Sequence, residues 1–330
     1  MVTLERRSRR GPILTPSSLP CLSDIPTINI TEGCAHECLY CYTRGYSNYP
    51  GPGRVVLFEN TVELVQAELA RKRRRPRRVY FSPSSDPFQP LPEVQDVTYR
   101  TMAILLEAGI EVAFLSKGDL GERFWALFAK HPALVFAQIG ITTLDERLWQ
   151  AFEPGSAAPS QRLETISRLA QIGIATSARL DPLIPDLTDS EASLTALLAQ
   201  LRYRRIQSVA GSYLFLRPAF ARRVTEQLRA IPGSPAGICN WVWQPFADGA
   251  GGGQMIQTVE RRQRFSRLKT LAEAYGIEVH VCTCKNPDLS PGFGCQIAGP
   301  APSPPPAGTL PLFDQAPVSD EAGAALGNEA

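Results

Sequence analysis

The sequence predicts an α/β fold whose parallel sheet curls into an open or closed barrel, and three observations carry that expectation. Strand-like and helix-like segments alternate about six times over roughly 190 residues, the pattern of βαβ units joined by right-handed crossovers. No G-x-G-x-x-G follows the first strand, which argues against a nucleotide-binding doubly wound sheet. The residues able to do chemistry fall at the ends of the expected strands, where α/β barrels build their sites. Composition agrees: of 330 residues, 44% are hydrophobic and 20% charged, which suits a globular protein with a sizeable core. A net charge of +2 argues against a dedicated nucleic-acid scaffold. Apolar runs such as 133–137 are too short to span a bilayer, and no long apolar stretch follows the basic N-terminus. A cytoplasmic protein without membrane partners is therefore expected.

Taken in order, residues 1–23 are basic and then rich in Pro and Ser, and read as a loosely held arm. The core barrel is expected over 24–217. It opens with a β-branched strand at 25–30 that feeds directly into a cysteine loop. Asn60 can cap a helix over 61–72. Of residues 71–78, seven of eight are basic, interrupted by Pro76. A buried strand at 78–82 leads into a Pro/Ser/Asp loop, followed by a helix at 98–108 and a strand at 111–116 that ends at Lys117. Helix, strand and helix follow at 123–130, 134–143 and 145–152. The helix at 161–172 places Leu163, Ile166 and Leu169 at helical spacing. Strands at 174–180 and 206–216 flank a helix at 190–201. Residues 218–298 form a C-terminal α/β extension, with helices at 218–230 and 259–275, a Pro/Gly-rich stretch between them, and a strand at 278–282. Residues 299–330 hold seven prolines, four acidic residues and no basic one, and are expected to be disordered.

The eight cysteines are clustered rather than spread. Without an export signal they suit metal ligation better than a disulfide framework. Cys34, Cys38 and Cys41 form a C-x3-C-x2-C triplet on one loop. Three local thiolates can each bind one iron of a cubane, which normally takes four cysteines, so one iron stays open to a substrate or cofactor. A zinc site or buried thiols are the other readings; zinc wants a fourth ligand, and His36 inside the loop is poorly placed to supply it. Tyr40 and Tyr42, beside the triplet, favour the cluster.

The triplet after a first strand resembles the signature of radical S-adenosylmethionine (SAM) enzymes, and Gly33-Cys-Ala-His-Glu-Cys-Leu-Tyr-Cys-Tyr42 is similar to the branch containing spore photoproduct lyase. The stretches 85–90, 115–117, 141–144, Glu153-Pro154 with Arg162, and 182–185 agree with that branch. The resemblance implies a partial (β/α)6 TIM-type barrel. It implies a [4Fe-4S] cluster on Cys34, Cys38 and Cys41 whose open iron chelates SAM. One electron, from a donor such as flavodoxin or ferredoxin, then cleaves SAM to methionine and a 5′-deoxyadenosyl radical that abstracts hydrogen from a substrate. By the same resemblance Ser85 and Lys117 hold the SAM carboxylate. Asp86, Thr142, Thr143 and Arg179 stand beside them as cofactor contacts, the last three set against simple barrel packing. The family's lyase donates a hydrogen from a cysteine two residues before that serine; here Pro83 occupies the position. Thymine-dimer reversal by that route is not expected, and Tyr40 or Tyr42 is left as a candidate hydrogen relay, against ordinary packing.

Cys239, Cys282, Cys284 and Cys295 lie outside the minimal barrel. Four thiolates suit an auxiliary [4Fe-4S] cluster or a structural zinc, and the tight C-x-C spacing without a C-x2-C knuckle favours the cluster. Cys21 is left over. The basic runs at 71–78 and 202–205 read as solvated faces more readily than as phosphate contacts. In the tail, Leu310, Leu312 and Phe313 resemble the short motif by which bacterial replication and repair proteins dock on the sliding clamp, with Thr309 in place of glutamine; packing against the body is the other reading. The function expected is a radical SAM enzyme acting on an unidentified substrate, nucleic acid among the candidates. The alternative is a non-catalytic iron–sulfur or zinc redox sensor using the same cysteines.

Overall fold

A computed structural model describes residues 2–17, 19–231, 243–248, 251–289 and 299. Cys239, Cys295 and the Leu310–Phe313 motif lie outside the described residues. All the described residues fall in one unit ending at Gly299.

Seven strands form one parallel sheet. In sheet order they are β2 (Thr27–Ile28), β5 (Arg78–Phe81), β6 (Glu111–Ser116), β7 (Val135–Gly140), β8 (Ala175–Leu183), β9 (Ser208–Tyr213) and β12 (Glu278–Val281). Between them run α1 (Thr61–Arg71), α2 (Pro92–Glu107), α3 (Glu122–Lys130), α4 (Glu146–Phe152), α5 (Pro159–Gln171) and α6 (Glu191–Tyr203). Spatial order follows chain order from β5 to β9, as successive right-handed βαβ units require. β5 and most of β6 are buried, and such near-continuous burial is what a parallel sheet covered by helices demands. α5 buries Leu163, Ile166 and Leu169 at the expected spacing, and α1 buries Val62, Val65 and Leu69. Each such side chain contributes about 1.5–3 kcal/mol.

The boundaries depart from expectation where special residues start or prolong an element. α2 begins at Pro92, six residues before the expected start, because proline suits the first helical turn, where its missing N–H is not needed. β8 runs on through Pro182, with a register shift against β9 between Leu180 and Leu183. The N-terminal arm is partly structured: β1 (Thr3–Arg7) pairs parallel with β4 (Arg54–Phe58), which also pairs antiparallel with β3 (Thr31–Glu32). The extension joins the same architecture. α7 (Pro218–Ala230) is followed by a hairpin of β10 (Trp243–Asp248) and β11 (Gly251–Ile256), then α8 (Thr258–Glu273), and β12 closes the sheet edge beside β9. Both basic runs lie at the N-terminal ends of strands, before β5 and β9. Residues 71–75 and Tyr203 are exposed there, at the end of the sheet opposite the site described next.

Candidate active site

A cavity of about 1440 Å³, counted to its open mouth, lies at the C-terminal ends of the parallel strands. Its wall includes Cys34, His36, Cys38, Tyr40, Cys41 and Tyr42 from the loop after β3, and the 82–86 segment after β5. Lys117 after β6, Gly140 of β7, Arg179 and Asp181 of β8, and Cys282, Cys284 and Lys285 after β12 complete it. Loops from both edge strands of the sheet therefore face one chamber, which is how curling the sheet makes a site from distant sequence.

The cysteine loop is held by close backbone approaches. Gly33 has φ +77°, and a Cβ there would stand 2.5 Å from the carbonyl oxygen of Arg54, so only glycine fits. Gly155 lies against the loop from the other side: its N–H donates to the His36 carbonyl at 3.1 Å, and a Cβ would collide with the Ala35 carbonyl oxygen. Arg44 ties the loop's far end by donating to the carbonyls of Cys38 and Glu37. Burial pushes the Cys34 and Cys38 thiols up, Cys38 to about 12. Protons on these buried thiols give way only to a cation that stabilises the thiolates. Among the described residues no three His, Cys, Asp or Glu side chains converge closely enough to share a single metal ion. Three thiols that line a common chamber suit a cluster, in which each cysteine binds its own iron.

Below the loop lies a buried ionic network. Lys117 Nζ donates to Glu153 Oε1 at 2.8 Å, to the Asp181 carbonyl at 3.0 Å and to the Tyr40 hydroxyl at 2.5 Å. The Tyr40 hydroxyl in turn donates to Glu153. Arg162, from α5, donates to the other Glu153 oxygen, to the Gly140 carbonyl at 2.9 Å and to the Ala157 carbonyl at 2.8 Å. Burial holds the Lys117 ammonium down, to about 8, and raises the Glu153 carboxyl. Two cations on one carboxylate leave the network one positive charge in excess, and that charge lies at the chamber wall, where it favours an anionic ligand.

Asp86 is occupied by the protein. Its carboxylate accepts from Ser116 Oγ at 2.9 Å, from the Lys117 N–H at 2.8 Å and from the Phe88 N–H at 2.8 Å, and it faces His36 Nδ1 at 3.5 Å. It locks three loops together and has little capacity left for a cofactor. Burial keeps the His36 imidazole below its ordinary range. Ser85 lines the chamber, and its buried hydroxyl has no hydrogen-bond partner. Thr142 and Thr143 are not among the chamber's lining residues, and Thr143 Oγ1 accepts from the Asp145 N–H at 3.0 Å. The Tyr42 hydroxyl donates to the Pro83 carbonyl.

Adjoining that network, Arg179 donates to Asp181 Oδ2 at 2.8 Å and to Cys282 Sγ at 3.2 Å, and Lys285 Nζ reaches both Asp181 oxygens at 2.9 Å. Burial opposes the Asp181 charge, but Lys285 and Arg179 outweigh it and hold the carboxyl below its ordinary range. Cys284 makes hydrogen-bond contact with both Cys282 and Cys21. The cysteine that spacing left over thus stands beside the C-terminal pair, brought there because the N-terminal segment passes the chamber rim. Sequence reasoning also missed His36 as a chamber residue, and the joint role of Glu153 and Tyr40 around Lys117. The Glu153-Pro154 and Arg162 stretches mark the spot in the sequence without saying what they contact.

The sequence model described as "Radical SAM superfamily" matches residues 28–199, just over half of the chain. A radical SAM Nalpha-GlyT isomerase of Pseudomonas phage M6 is 30% identical over 171 residues, covering 51% of this chain and 35% of the phage protein. An uncharacterized protein of Mycobacterium tuberculosis is 28% identical over 200 residues, covering 58% of this chain and 59% of that one. The match thus spans about a third to three fifths of these relatives' lengths. Among solved structures, a spore photoproduct lyase with bound AdoMet and dinucleoside spore photoproduct superposes with TM-score 0.64 at 14% identity, over 84% of this chain and 81% of the other. A radical SAM methyltransferase from Sphaerobacter thermophilus gives TM-score 0.51 at 19% identity, over 78% and 66%. These structural likenesses establish the fold: a parallel α/β sheet of the kind found in spore photoproduct lyase.

Proposed function

The chain belongs to the radical SAM superfamily, and from that premise we propose that it is an enzyme that holds a [4Fe-4S] cluster on Cys34, Cys38 and Cys41 and SAM in the adjoining chamber, to act on a nucleobase of a nucleic acid. The observation that carries this is that the three cysteines of the loop, the unpartnered Ser85 hydroxyl and the cationic Lys117 line one chamber. The residues fit the cofactors: thiols for iron, and a hydroxyl and an excess cation for a carboxylate. Together the cluster and SAM supply reductive cleavage to methionine and a 5′-deoxyadenosyl radical, with the electron taken from a donor such as flavodoxin or ferredoxin. Ser85 and Lys117 orient the SAM carboxylate, and Tyr40 and Glu153 hold Lys117 in place until it does so. Asp86 fixes the loop geometry instead of touching the cofactor.

The nucleobase reading rests on two supports. A structural neighbour was solved with bound dinucleoside spore photoproduct. In this chain Tyr42, Tyr46 and Phe215 line the chamber, and Lys285 lies 5.6 Å from the Tyr42 ring centre. Aromatic faces with a cation beside them suit a stacked base and its phosphate. For the C-terminal cysteines we propose a second cluster that draws on Cys282 and Cys284, with Cys21 beside them and Cys239 and Cys295 as the remaining candidates.

Anaerobic reconstitution followed by strong reduction is expected to form 5′-deoxyadenosine from SAM, and the C34A/C38A/C41A variant is expected to form none. Added DNA should raise the yield. A reconstituted, reduced protein that makes no 5′-deoxyadenosine returns the chain to a non-catalytic redox role, and a yield indifferent to DNA and RNA removes the nucleobase substrate.

A further inference from the structure

Three buried side-chain polar atoms without a hydrogen-bond partner belong to residues that line the chamber: His36 Nε2, Ser82 Oγ and Ser85 Oγ. His36 is 2% exposed and Ser82 3%. A protein seldom leaves such groups unsatisfied, and several that line one cavity call for a polar partner there, whether water, ion or ligand. The backbone points the same way. Ser82 has φ +51°, a left-handed conformation that side chains other than glycine adopt only when the surroundings impose it. The Ser82 N–H is held by the Ile28 carbonyl at 2.7 Å, and the Ser82 carbonyl accepts from the Ser85 N–H at 3.1 Å. That turn brings both serines to the chamber lining. Asp86 Oδ2 stands 3.5 Å from His36 Nδ1, which favours the ring proton on that side and leaves Nε2 towards an incoming donor. The chamber lining therefore offers two hydroxyls, which donate or accept, and an imidazole nitrogen that accepts.

We propose that His36 and Ser82 are positioning residues for SAM, completing with Ser85 a polar cradle in which the serine hydroxyls donate to the cofactor's carboxylate and His36 accepts from its amino or ribose hydroxyl group. This rests on the cofactor reading above. It adds two residues whose motif positions say nothing of such a role, and it makes Asp86 the group that orients one of them. His36 lies between two cluster ligands, so its side chain serves the cofactor while its neighbours hold the iron.

The test is binding of S-adenosylhomocysteine, which has no sulfonium to cleave, to the anaerobically reconstituted full chain, read by equilibrium dialysis beside iron content and cluster absorbance. Ser82→Ala and His36→Phe are each expected to weaken binding about five- to tenfold with iron and absorbance unchanged. His36→Gln, which keeps an acceptor oxygen, is expected to recover part of the loss. Unchanged binding in both Ser82→Ala and His36→Phe at full cluster content overturns the proposal. If His36→Phe loses iron, Ser82→Ala, which lies outside the ligand loop, decides alone. If the wild-type holoprotein itself fails to bind, the cofactor reading falls and this inference with it.

Discussion

Glu153 is the residue on which the charge balance of the chamber floor turns. It is 3% exposed and compensates two cations, Lys117 and Arg162, that are themselves buried or nearly so. Replacing it with Gln leaves both without a counter-charge, and removing one partner from a buried ionic group is far more costly than forgoing the group altogether. Glu153→Gln is expected to destabilise the chain by about 3 kcal/mol, seen as a lower urea midpoint with an unchanged slope. Because Lys117 is already held down to about 8 by burial, the variant should push it lower still, and SAM binding should then weaken as pH rises through the neutral range. Little of this is legible in the sequence. Lys117 stands out as one of only five lysines, at a strand end, but a carboxylate and a hydroxyl 36 and 77 residues away decide its state. Asp86 shows the same limit from the other side, since a motif position next to Ser85 does not reveal that three donors have taken its oxygens.

At the scale of elements, α8 and β12 show how the C-terminal segment delivers Cys282, Cys284 and Lys285 to the chamber. Arg261, fully buried on α8, donates to both Asp288 oxygens, at 3.0 and 2.6 Å, and to Asn286 Oδ1 at 2.9 Å. The loop after β12 is thereby clamped to the helix. Burial opposes the Asp288 charge, but Arg261 and Thr258 outweigh it and keep the carboxyl below its ordinary range. A depressed folded-state value means that the clamp's stabilisation is present above the ordinary Asp range and is lost as pH falls through the folded value. The stability gap between wild type and Asp288→Asn is thus expected to be open at pH 6 and to close towards pH 3, measured by urea unfolding of the metal-free chain. Helix periodicity placed α8 correctly, yet the ion pair that clamps the loop after β12 to it is a long-range contact that periodicity does not encode. β1 illustrates the same point for strands: TLERR is polar and half-exposed, so hydrophobic alternation gives no signal, and only hydrogen bonding to β4 makes it a strand.

For the molecule as a whole, curling brings the two edge strands' loops, some 240 residues apart in the chain, to one chamber. This predicts that iron binding is divisible. The C34A/C38A/C41A variant, reconstituted anaerobically, is expected to retain iron through the C-terminal cysteines, and adding Cys282→Ala and Cys284→Ala should abolish it; a folded triple variant with no iron sinks the second cluster. The C-x3-C-x2-C spacing, the strand–helix alternation and the helical apolar stripes belong to the sequence alone, because metal-ligand loops and amphipathic faces are local patterns written in consecutive residues. The partners of Lys117, the full coordination of Asp86, the place of Cys21 beside Cys284 and the unsatisfied side chains of His36, Ser82 and Ser85 belong to the folded chain. Each depends on which atoms a curled sheet brings within hydrogen-bond reach, and that distance is a property of packing between segments, which no single stretch of sequence contains.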